Sequence, residues 1–180
     1  MGLFSRKPKV LEPAKFYAMS CQTFHDMANS GLSLTPRGVI FVPELLSIGQ
    51  EAVLRCLQNP TLQRRYKNNP EGYYYAIATD CFDVGIVFAD KWHNQVSALK
   101  NGFIEEVFNG NISDYSTPII EQVIGWDDYT RAPFYKDLFD CWKELHAPYW
   151  KLRDPREYTF SLMLAAYQLG VSVILTQYGF

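Results

Sequence analysis

Apolar positions return every three or four residues along most of this chain, and prolines punctuate the runs. The clearest pattern lies between Glu71 and Leu99, where Ile77, Cys81, Val84, Phe88, Trp92 and Leu99 fall at helical steps. At 100° per residue these side chains gather on one side of a helix. Asp83, Asp90 and Asn94 gather roughly opposite, with Asp80 nearer the boundary. The spacing therefore predicts one long amphipathic helix with a greasy inner face and aspartates turned outward.

Other segments follow the same logic. Pro13 to Asn29 reads as a first helix, closed by Gly31. Pro43 to Leu57 reads as a second, built on Leu45, Ile48, Ala52 and Leu57, and a short helix is expected from Pro60 to Lys67. Thr117 to Ile124 and Phe134 to His146 show helical spacing, whereas 125–133 reads as a loop. Asp154-Pro155-Arg156-Glu157 is a helix start, with Asp at the cap and Pro at the first position. The helix it opens carries no charge from Tyr158 to Phe180 and is apolar nearly all round, as expected of a central or interface helix. Its apolar run, broken by Ser161, Gln168, Gly170 and Ser172, is read as a core helix, not a membrane span.

No repeat period is evident, and no linker divides the chain. The expectation is a basic, flexible head at 1–11 followed by a single helical domain at 12–180. That domain would be an all-α bundle, or an irregular orthogonal packing, of about six to eight helices. The competing expectation is α+β, with short strands near 38–42 and 171–176, where β-branched residues cluster.

Composition narrows the functional classes. The chain has 180 residues, is 48% hydrophobic and has a formal charge of -2, so no dense basic surface is available for nucleic acid. One basic patch, Arg64-Arg65-Tyr66-Lys67, stands without a second to support it. Cys21, Cys56, Cys81 and Cys141 include no Cys-x-x-Cys pair and are read as buried structural thiols. With no zinc spacing, nucleotide-binding glycine loop or nucleophile elbow, no metal and no cofactor are expected. No secretory leader is evident at the N-terminus, so the cytoplasm is the default location.

Two features carry what functional signal remains. Asp83, Asp90 and His93 could form a polar cluster on the long helix. Asp90 and His93 share a face, but the set falls short of a di-iron ligand array. Aromatic residues make up 16% of the chain, and Tyr73, Tyr74, Trp126, Tyr129, Tyr149 and Trp150, with Asp128, are candidates for a contact surface. Tyr and Trp give large contact area with few rotors to freeze. The reading is a non-catalytic protein–protein interaction or regulatory domain, with a protein partner or self-association through the C-terminal helix as a homodimer. The alternative is a small-molecule binder or enzyme with an aromatic-lined cleft between helices.

Overall fold

The computed structural model describes residues 40, 42–95, 97–146 and 155–180. The head, the Pro13–Asn29 helix, Cys21, Tyr149 and Trp150 lie outside the described residues. Those described are all-α: α1 (Pro43–Leu57), α2 (Pro60–Arg65), α3 (Pro70–His93), α4 (Asn101–Asn109), α5 (Ile112–Ile119), α6 (Asp128–His146) and α7 (Pro155–Gln177), with a 3-10 turn at Ser97–Leu99 and a π turn at Ile120–Ile124. The α+β alternative is corrected at 171–176, which is helical because α7 runs unbroken through it.

Prolines start α1, α2, α3 and α7 because the first helical position needs no N–H. Asn59 and Asn69 complete two of these starts, their side chains accepting from Leu62 and Gly72 amides at 3.3 and 2.9 Å. Several boundaries differ from expectation: the helix expected from Thr117 begins at Ile112 and gives way to a π turn at Ile120, and the short helix after Pro60 ends at Arg65. The long helix ends at His93, where Gln95 adopts a left-handed φ of 53°, and does not reach Leu99. Residues 128–133, expected as loop, form the first turns of α6. Asp127 caps them by accepting from the Thr130 amide and hydroxyl, both at 3.0 Å, and Pro133 is accommodated inside the helix.

Helices α3 and α7 lie side by side and run parallel, since their C-terminal ends meet. Tyr178 bonds Asp90 and stacks on His93, and Phe180 packs on Trp92. Midway, the two backbones touch at a pair of glycines. A Cβ on Gly85 would lie 2.1 Å from the Tyr167 carbonyl oxygen, and one on Gly170 would lie 2.2 Å from that of Phe82. Only hydrogen on Cα permits this crossing. Between residues 159 and 175, α7 is buried except for Phe160. The stretch Thr159–Gln177 has the length and composition of a membrane span, but 89% of its apolar window is buried inside the protein.

The crossing is also reciprocal. Gly85 meets residues 167 and 171, while Gly170 meets 82 and 86, so each contact has a counterpart 85 positions along. Pro70 and Pro155, Tyr73 and Tyr158, and Cys56 and Cys141 share that spacing. Gly49 on α1 lies against the Tyr167 ring of α7, and at the equivalent positions Phe134 on α6 packs on Phe82 of α3, ring centroids 5.1 Å apart. This reciprocity is what an approximate two-fold axis along the α3–α7 pair produces. One half contributes α1 and α3, the other α6 and α7.

Aromatic rings join α6 to α3 in antiparallel order. Tyr74 packs on Trp142, Tyr75 on Phe139, and Phe82 on Phe134 and Tyr135, with centroid separations of 5.1–5.8 Å. Cys56, Cys81 and Cys141 are buried. Burial also pushes the Cys81 thiol well up, reinforced by neighbouring Cys56, which suits an inert core role.

Candidate functional site

The expected outward face of the long helix is only partly outward. Every residue from Cys81 to Ala89 is buried, because α1, α5, α6 and α7 surround α3 on all sides. Asp83, placed by periodicity on the solvent side, is 6% exposed. It is satisfied by two hydroxyls from two other helices. The Ser116 hydroxyl of α5 donates to Oδ2 at 2.9 Å, and the Tyr135 hydroxyl of α6 donates to Oδ1. Arg131, one turn before Tyr135 and itself buried, donates to Thr117 Oγ1 at 3.0 Å and to the Tyr135 oxygen at 3.4 Å. Its Nε–H is buried with no acceptor among the described residues. Burial raises the Asp83 carboxyl above the ordinary carboxylate range, outweighing the two hydroxyl donors and the Arg131 charge that pull it down. Tyr135 is pushed far up, first by burial and then by Asp83.

Asp80 lies three residues earlier, near enough on the helix surface for the two carboxyls to interact. It is half-buried, and no hydrogen bond to it is found among the described residues. Burial, with Asp83 adding repulsion, pushes its carboxyl up to about 7. The cluster therefore holds one carboxyl fixed by two donors and one that exchanges a proton with water near neutrality. The thiol nearest the acids, Cys81, is buried and held protonated by burial, by Cys56 and by Asp80.

The expected trio of Asp83, Asp90 and His93 does not come together. Asp90 and His93 belong to the C-terminal clasp, where Asn94 Nδ2 and the Tyr178 hydroxyl donate to Asp90 Oδ1. His93 stacks on Tyr178 at 3.7 Å between centroids. Among the described residues no group of three or more His, Cys, Asp and Glu is placed to hold a metal.

The aromatic candidates divide. Tyr73 and Tyr74 are half-buried: the first donates to the Leu57 carbonyl, and the second packs on Trp142. Trp126 is half-buried against Phe134 at 4.8 Å. Tyr129 differs, being 90% exposed, and the Asp128 side chain beside it is 95% exposed. The backbone beneath this pair is held from both directions. The Gly125 amide closes the π turn on the Ile120 carbonyl at 2.9 Å with φ at 79°, and Asp127 caps the helix that follows. Asp128 also lies 3.9 Å from Arg131, which links the exposed turn to the buried acid centre.

Arg131, Ser116 and Tyr135 carry no functional signal in the sequence, and Asp80 shows there only as a residue near the boundary of the helix face. Asp80 and Asp83 were visible as an i, i+3 pair, but nothing in the chain marked Ser116 or Tyr135 as their neighbours. No protein-family model, curated protein or solved structure matches this chain.

Proposed function

We propose that this chain is a non-catalytic helical interaction domain whose contact surface is the start of α6, with Tyr129 as the anchor and Asp128 and Trp126 beside it. One observation carries the reading: Tyr129 stands nine-tenths in water on a rigidly built turn. Phe180, the other exposed ring among the described residues, still packs on Trp92 and His93. An uncovered tyrosine on a hydrogen-bonded turn fits the role of a contact anchor because its ring offers large contact area with few rotors to freeze. Self-association through α7 is not part of the proposal, since most of that helix is already buried in its own chain.

The test is site-specific photocrosslinking in cells from position 129, with position 54 as control, because Leu54 is also exposed at 47%. The reading expects a discrete crosslinked species from 129 that is absent from 54 and lost on Asp128→Lys. Crosslinks that are absent, or the same from both positions, would remove Tyr129 as an anchor.

A second reading, a small polar ligand held at Asp80, is favoured by that carboxyl having no hydrogen-bond partner among the described residues. Thermal-shift screening of small amides and amines against wild type and Asp80→Asn would separate it. A ligand that stabilises only the wild type is the result it requires.

A further inference from the structure

The two halves of the chain provide an internal comparison. Positions 80 and 83 on α3 correspond, 85 residues on, to Ala165 and Gln168 on α7. Both are fully buried, at 0% and 2% exposure, so the second half packs equivalent positions with no ionisable group. The helix pairing therefore does not require carboxylates there. Buried acids are costly to keep, and their presence in one half only asks for a purpose.

The geometry around them suggests one. Asp83 is the point where α5 and α6 are both tied to α3, through Ser116 and Tyr135. Asp80 shares its face one turn away. The groups facing the pair are few. From α6 come Tyr135 and the Arg131 charge, and from α5 the hydroxyls of Ser116 and Thr117. From α1, Cys56 faces Cys81. The described buried stretch of α7, 159–175, carries no charge, and its Tyr167 hydroxyl is committed to the Leu45 carbonyl at 2.8 Å. Arg131 is thus the one cation facing the acids among the described residues, and it acts on Asp83.

We propose that Asp80 and Asp83 form a proton-linked latch: with Asp80 protonated, Asp83 seats α5 and α6 firmly on α3, and loss of that proton to water places two like charges one turn apart and loosens the seat. The carboxyl of Asp80 passes through this change close to neutral pH. Because Arg131 bridges toward Asp128, loosening reaches the first turn of α6. The latch stands on the α3–α5–α6 geometry and not on the proposed contact surface, so either can fail alone.

The experiment is fluorine NMR of the full chain labelled with 5-fluorotryptophan, followed from pH 5.5 to 8.5. Trp126 precedes α6 and Trp142 lies within it, and Trp126→Phe and Trp142→Phe assign their resonances. The latch expects both signals to move with a common midpoint near neutrality. The variants decide which group is responsible. Asp80→Ala, which copies Ala165, and Asp80→Asn should each abolish the movement. Asp83→Gln, which copies Gln168, should lower the midpoint by removing the like charge. Signals that stay flat in the wild type, that titrate unchanged without Asp80, or that keep their midpoint in Asp83→Gln would overturn the proposal.

Discussion

Replacing Gly85 by alanine inserts one methyl group where two helix backbones already touch. In place, its carbon would sit 2.1 Å from the Tyr167 carbonyl oxygen, 3.0 Å from that carbonyl's carbon and 3.1 Å from the Val171 nitrogen. All three are backbone atoms and cannot rotate aside. Ordinary contact begins near 3.4 Å, so α3 and α7 must part by about 1 Å locally. A gap of that size forfeits about a quarter to a half of each dispersion contact along the seam. Overpacking costs typically about 1–3 kcal/mol, and the unyielding neighbours put this case at the upper end. Against it stands a helix-propensity gain of about 1 kcal/mol for Gly→Ala, leaving a net loss of about 2 kcal/mol. Urea unfolding followed by circular dichroism at 222 nm reads this directly, and for a chain of this size it corresponds to a drop of roughly 4–8 °C in Tm.

Two controls sharpen the test. Gly170→Ala should cost a similar amount, since its Cβ would meet the Phe82 oxygen at 2.2 Å. The double variant should cost less than the sum, because one separation relieves both clashes. Gly102→Ala, where a Cβ meets nothing within 4 Å, should be neutral or stabilising by up to about 1 kcal/mol. If Gly85→Ala unfolds within about 0.5 kcal/mol of wild type, with an unchanged denaturant slope, the close crossing and the reciprocity built on it are refuted.

The acid centre makes further predictions. Asp80 has a folded pKa of about 7, above the unfolded value of roughly 3.9. The native state therefore binds more protons than the unfolded state between these limits, and stability falls as pH rises from about 4 to about 7. The full penalty is on the order of 4 kcal/mol. Asp80→Asn should match wild type near pH 4 and exceed it above pH 7 in urea titrations; parallel curves at both pH values would contradict the assignment. Tyr135→Phe removes a donor from buried Asp83 and should cost about 1–3 kcal/mol while raising the Asp83 carboxyl, so its deficit grows with pH in the same titrations. Tyr129→Ala should leave unfolding within about 0.5 kcal/mol of wild type in the same titrations, because its side chain is 90% exposed.

Much of this architecture was readable from the residues. Pro43, Pro60, Pro70 and Pro155 each start a helix because proline suits the first turn and resists a later one. The uncharged run from Tyr158 has the pattern of a central or interface helix, and from Thr159 to Leu175 all but Phe160 is buried within its own chain. Single-helix periodicity, however, shows where polar residues cluster and not what comes to meet them. Asp83 lies opposite Ile77 and Phe88 on the helix, yet hydroxyls from α5 and α6 allow it to be buried. Tyr73 and Tyr74 read from sequence as candidates for a contact surface, whereas the end of α1 and α6 engage them within the chain. The turn at 125–133 looked like loop because Gly125 and Pro133 bracket it, while the Asp127 cap lets α6 begin before the proline. The reciprocal pairing of α3 with α7 is not legible in the sequence, because identities at the 85-residue spacing are few and only the glycine contacts reveal it.

The protonation state of Asp80 tests the account most directly. Carbon-13 NMR of the full chain labelled at aspartate carboxyls, with the Asp80 resonance assigned by its loss in Asp80→Asn, follows that group alone through a pH titration. The account predicts a midpoint near 7 that moves down in Asp83→Gln. A midpoint near 4, unaffected by Asp83, would mean that the two carboxyls are neither buried together nor coupled, and the centre described on α3 would not exist.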